Sequence, residues 1–287
     1  MSWNGLKKAM NRAGAQVLMK TGKIEQSVDL EYEFEVRRFK MMEDKSNKLQ
    51  KELKQYLNTL RVISGAQENV SEVLGAYFGK KEYTGEEENL GKNKNISIAQ
   101  EYHQVMKRIN SECIEQLEQP YFQTVINPIA RFNSYFIEIN EAIKKRNHKQ
   151  LDYDALRTKV RKLEENPPES PAVVTTASIE EHRAYVKKLA DNQQQLETAE
   201  QVYENINSLL KEELPRLINL RIPFFDPSFE SFVKLQLLFF SENFKHLNEL
   251  QEKIDARTRQ DYVEGKLETR IDDVLVKMKE LNITGMT

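Results

Sequence analysis

Between residues 144 and 162 the chain carries eight cationic side chains, Lys144, Lys145, Arg146, Lys149, Arg157, Lys159, Arg161 and Lys162, against only Asp152 and Asp154. So dense a run suits a surface of phosphates, where each lysine or arginine near an anionic leaflet contributes about 1 kcal/mol and salt weakens the attraction. The plainer alternative is a solvated helix face. A second basic segment opens the chain. Lys7, Lys8, Arg12, Lys20 and Lys23 all precede the first acid, Glu25, and are threaded through Trp3, Leu6, Met10, Ala13 and Val17. At about 100° per residue those five apolar positions fall within about 80° of one another, while Asn4, Lys8, Asn11 and Arg12 point away. An apolar stripe with a basic far side is the pattern of a helix lying in a membrane interface. Here Trp3, Leu6, Met10 and Val17 would enter the acyl region, with Lys7, Lys8 and Arg12 at the phosphates. Packing of the same helix on the protein's own core is the alternative. Gly5, Gly14 and Gly22 weaken such a helix in water by up to ~1 kcal/mol each, which suits a segment that folds where it meets an interface.

Other chemistries find little support. The four histidines, His103, His148, His182 and His246, are scattered, and no Glu-x-x-His pair is present to build a carboxylate-bridged metal site in a bundle. Gly85 to Lys92 imitates a phosphate loop only superficially, because Asn93 stands where Ser or Thr is needed and Glu86, Glu87 and Glu88 would repel phosphate. No nucleophile signature occurs, so neither an enzyme nor a cofactor or metal site is expected. The formal net charge of −2 argues against nucleic acid as the main partner. A single cysteine, Cys113, excludes an internal disulfide and suits a reducing cytosol as a small core residue. The N-terminal segment is too charged to span a bilayer, and its scattered cations do not make a secretory signal.

The elements that must carry these residues are long helices. From Val28 the positions Tyr32, Phe39, Met42, Leu49, Leu53, Tyr56, Leu60, Ile63, Val70, Leu74 and Tyr77 alternate steps of three and four, interrupted by Glu35, Ser46 and Gln67. The expected helices cover about 26–79, 98–165 and 177–252, between an N-terminal amphipathic helix over 1–23 and a C-terminal extension over 253–287. Residues 79–97 read as a mobile connection. Pro120 and Pro128 should bend the second long helix, and Pro215, Pro223 and Pro227 the third. A 50-residue helix is about 75 Å long, whereas a compact domain of this length has a radius of gyration near 19 Å, so an elongated body is expected. One last helix is expected over about 255–281.

The segment Phe229, Phe232, Val233, Leu235, Leu237, Leu238, Phe239, Phe240 and Phe244 is apolar all round. Three antiparallel helices cannot cover every side of it, so Phe229, Phe232, Val233, Leu237 and Phe240 are expected to meet another chain. Glu230, Lys234 and Glu242 argue against a membrane span here.

With these features in place, the chain resembles the BAR-domain family of the amphiphysin and bridging-integrator type. The matching blocks are Leu49-Gln50-Lys51-Glu52-Leu53 with Tyr56-Leu57, Lys145-Arg146 through Leu151-Asp152-Tyr153-Asp154, Glu212-Glu213-Leu214-Pro215, and Pro227-Ser228-Phe229-Glu230-Ser231. The start, with Met1-Ser2-Trp3, Lys7-Lys8-Ala9 and Asn11-Arg12-Ala13-Gly14, is most similar to the short fungal reduced-viability-upon-starvation class that lacks an SH3 domain. The resemblance implies an all-α fold, an elongated three-helix antiparallel coiled coil paired into a crescent-shaped dimer. It further implies binding and bending of anionic phospholipid membrane, with Lys145, Arg146 and Lys149 as lipid contacts. His148 departs from the motif, which carries a second arginine there. Homodimers, or heterodimers with an SH3-bearing BAR protein, are the implied assemblies. Actin-regulatory partners and a cytoplasmic place at the plasma membrane, at endocytic sites and cortical actin, follow from the same resemblance. A coiled-coil adaptor of the cytoskeleton is the competing reading.

Overall fold

The structure is a computed structural model and describes residues 12–14, 17, 24–78, 97–168 and 176–281. Among the described residues it is all-α. The helices are α1 (Leu30–Phe78), α2 (Ile98–Arg108), α3 (Ile114–Tyr121), α4 (Asn127–Glu165), α5 (Thr176–Lys253), α6 (Ala256–Val263) and α7 (Leu267–Lys279). Two π-helical turns, Ile109–Cys113 and Phe122–Ile126, join α2 to α3 and α3 to α4. The connection expected over 79–97 lies, save Ser97, outside the described residues.

Local sequence explains where the helices begin. Asp29 caps α1, accepting the Tyr32 N–H on its carboxylate at 3.0 Å, and Glu31 and Glu33 place negative charge in the first turn. Ser97 and Gln100 form a reciprocal capping box at the start of α2. The second π turn ends just before Pro128, where the ring would otherwise collide with the carbonyl one turn back. The bend expected near Pro120 and Pro128 thus takes the form of a local change of helical register. Pro215, Pro223 and Pro227 all lie within the 78-residue α5.

The chain divides into two units, the first formed by Met1–Lys51 with Asn127–Pro227 and the second by Glu52–Ile126 with Ser228–Thr287. In the first, α1 and α4 run antiparallel: Tyr32 meets Asn147, Lys40 meets Asn140, and Ser46 meets Asn133. Tyr32, Phe39 and Met42 of α1 pack with Phe132, Phe136 and Ile143 of α4 and Leu210, Leu214 and Ile218 of α5. Two interruptions in the apolar pattern of α1 are buried with partners. Glu35 pairs with Arg38 at 2.8 Å, and the Ser46 hydroxyl donates to Asn133 at 2.6 Å.

In the second unit, Leu57 and Leu60 of α1 pack with Met106, Ile109, Cys113, Ile114, Leu117, Tyr121, Val125, Ile126 and Phe239. Cys113 is buried there, and burial pushes its thiol pKa up, which keeps it protonated and inert. The last expected helix is instead two. Gly265 at φ 68° receives the end of α6, with Gly265 N–H donating to Tyr262 O and Lys266 N–H to Asp261 O. That is the bonding of a glycine-terminated helix.

Candidate functional site

The basic run lies on α4 and divides between its sides. Arg146 is a correction to the sequence reading: only 3% exposed, it cannot reach a lipid. Its Nε donates to Asn207 Oδ1 at 2.9 Å, Nη1 to Gln150 Oε1 at 2.6 Å and Nη2 to the Tyr203 hydroxyl at 2.9 Å. The guanidinium lies 3.7 Å from the Tyr32 ring centroid and 4.9 Å from that of Tyr203, a stacked cation geometry. Burial raises the phenol pKa of both tyrosines, even beside this cation; Tyr32 donates its hydroxyl to Asn147 and Tyr203 accepts from Arg146.

Two further cations tie down the chain entering α1. Asp154, fully buried, accepts the Ser27 N–H at 3.1 Å and the Ser27 hydroxyl, and stands 3.4 Å from Arg157. Arg157 donates to Glu25 O at 3.0 Å, while Arg161 pairs with the Glu25 carboxylate at 3.2 Å. Both remain partly open to solvent.

The opposite side of α4 is different. Lys144, Lys145, Lys149, Lys159 and Lys162 share it, within about 140° around the helix axis, together with His148 and Asp152. Lys145, Lys149, Lys159 and Lys162 form no ion pair among the described residues, and Lys144 stands 3.5 Å from Glu141. A cleft of about 510 Å³ runs along this side, lined by Arg12, Glu141, Lys144, Lys145, His148 and Lys149. It offers many donors and one acid, chemistry for an anionic surface. Among the described residues no His, Cys, Asp and Glu group could hold a metal ion, and no helix is long and apolar enough to cross a membrane.

Of the N-terminal residues, Trp3, Leu6, Lys7, Lys8 and Met10 lie outside the described residues. Arg12 is described and half-buried; Val17 is helical and exposed.

The second unit carries an apolar surface. Phe229, Val233, Leu237, Phe240 and Phe244 of α5 are exposed at helical spacing. Phe232 is the exception: half-buried, it packs 5.4 Å from the Tyr56 ring and 6.1 Å from Tyr121. A second apolar face includes Ile63, Val70, Leu74 and Tyr77 of the periodic pattern, whose exposure the sequence did not reveal. Val62, Ile63, Val70, Val73, Leu74, Tyr77 and Phe78 of α1 are exposed, because Ser64 and Ser71 take the inward positions. The Ser71 hydroxyl lies 3.0 Å from His103 Nδ1. Serines seven residues apart were the available signal, outweighed by the larger apolar side chains beside them.

The match to a family model, the BAR domain, spans residues 6–256. The chain is 48% identical to the RVS161-like protein RVS162 of Candida albicans, over 99% of both proteins. It is 37% identical to the regulator of cytoskeleton and endocytosis RVS161 of the same organism, over 100% of this chain and 99% of the relative. Among solved structures it is similar to the amphiphysin BAR domain from Drosophila, with a TM-score of 0.59 and 21% identity over 83% of this chain and 96% of that one. At that identity the likeness concerns the fold.

Proposed function

The chain belongs to the BAR-domain family, and from that premise we propose that it is a non-enzymatic peripheral scaffold that binds and shapes anionic membrane. The observation that carries this reading is the one-sided lysine face of α4, with Lys145, Lys149, Lys159 and Lys162 free of ion pairs among the described residues. Fixed cations on a helix side attract a charged leaflet without needing a pocket for any one headgroup. Trp3, Leu6, Met10 and Val17 would enter one leaflet as a wedge, with Lys7 and Lys8 beside them. The exposed stripes of the second unit support pairing with a second copy or with an SH3-bearing BAR relative. The name of the Candida albicans relative RVS161, a regulator of cytoskeleton and endocytosis, supports a role at endocytic sites and cortical actin.

Co-sedimentation with phosphatidylserine vesicles tests the reading. Lys145→Glu with Lys149→Glu should cut the bound fraction by tenfold or more at low salt, since two reversed charges remove more than about 2 kcal/mol. Binding by the unaltered chain should fall steeply as salt rises. An adaptor that only binds proteins would sediment equally with neutral and anionic vesicles.

A further inference from the structure

One charged contact joins the N-terminal segment to the basic side of α4. Arg12 Nε and Nη2 donate to Asp152 Oδ1 and Oδ2 at 2.9 and 2.8 Å, the two-pronged pairing that fixes orientation as well as distance. The Arg12 side chain is 21% exposed and that of Asp152 29%, so water competes less for the pair than at the open surface. Arg12 also lines the cleft beside Lys144 and Lys145 and a second one, of about 790 Å³, between α4 and α5, with Lys149 in each.

The neighbouring residues reveal which way the segment faces. Residues 12–14 and 17 are helical, Ala13 and Gly14 are exposed, and Val17 is 61% exposed. Helical spacing puts Val17 about 140° around the axis from Arg12. Arg12 therefore meets α4 while the side bearing Val17 faces solvent.

The geometry points to Asp152 as a positioning residue that clasps Arg12 and so seats the N-terminal segment on the lysine face with the side bearing Val17 turned outward. This inference rests on the membrane reading above, and it makes an acid in a basic surface useful. Asp152 by its charge alone opposes an anionic leaflet. Its removal should therefore leave vesicle binding unchanged or raise it, yet impair remodelling, because the side bearing Val17 is no longer held toward the acyl region. A merely structural role would lower both together.

The test uses the full chain with phosphatidylserine vesicles, comparing co-sedimentation with the yield of tubules. Asp152→Asn should bind at least as well as the unaltered chain while its tubule yield falls about threefold or more, the scale of one partly shielded ion pair. The exchanged pair, Arg12→Asp with Asp152→Arg, should recover the yield. Without lipid, trypsin should cut after Arg12 about threefold faster in Asp152→Asn. Equal tubule yields for Asp152→Asn and the unaltered chain, failure of the exchanged pair to recover, or equal cutting rates would each overturn the clasp. Failure of the unaltered chain to sediment with these vesicles would instead overturn the membrane reading, and the trypsin comparison would still decide the clasp.

Discussion

Arg146 is held between two phenol rings, with Asn207, Gln150 and Tyr203 accepting its protons. The nearest carboxylate in that network is Asp29, reached through Asn207, whose amide donates to it at 2.7 Å. Removing the guanidinium would leave three buried polar groups without partners, so Arg146→Met should cost about 3 kcal/mol of stability, measured by urea unfolding. Arg146→Lys should recover little, because an ammonium lacks the planar fork that serves three acceptors and two rings. The loss belongs to folding and not to lipid contact, unlike that expected for Lys145 and Lys149. Composition placed all eight cations in one class. Burial separated them, since a helix turns by about 100° per residue and one run of basics must address several neighbours.

At the scale of the element, α1 shows how polar positions in an apolar pattern acquire meaning. Its cap, Asp29, is pushed upward in pKa by burial, but the Tyr32 N–H, Asn207 and Lys211 favour the ionised form more strongly. The folded-state pKa therefore lies below the ordinary 3.8. A depressed carboxyl contributes stability that is present above its unfolded pKa and lost as pH falls through the folded one. Unfolding free energy should accordingly decline below about pH 4. Asp29→Asn keeps a good cap but removes this titration, so its stability should fall less steeply over that range in urea titrations at stepped pH. The periodic apolar residues made α1 legible, and Glu35 and Ser46 were visible as interruptions; their partners Arg38 and Asn133 were not. Beyond Leu60 the pattern meets no core of its own chain among the described residues. The periodic positions Ile63, Val70, Leu74 and Tyr77 face outward, and Ser64 and Ser71 face in. Hydrophobic spacing tells which residues share a side of a helix but not which neighbour that side meets.

For the whole molecule, the exposed stripes of α1 and α5 in the second unit are apolar surface that, among the described residues, a single chain leaves unburied. Contiguous apolar surface of this kind marks an interaction site. With Leu237→Asp and Phe240→Asp, light scattering of the purified protein should fall from the mass of a pair to that of one chain, while helicity by circular dichroism stays close to that of the unaltered protein. Both residues are more than half exposed, and Phe240 meets the core edge-on at the Phe239 ring, 5.3 Å away. Sequence alone determined the class of the molecule: long helices, a basic segment with few acids, an apolar-and-basic start, and motif blocks shared with the BAR-domain family. Those properties reside in residue type and spacing along one chain, which is all that periodicity can record. Tertiary structure decided what each side chain faces, burying Arg146, drawing Phe232 into its own core, turning α1 to show Val70 and Leu74, and joining Arg12 to Asp152 across 140 positions of chain. Such pairings depend on how helices distant in sequence come together, and that is written in no local pattern.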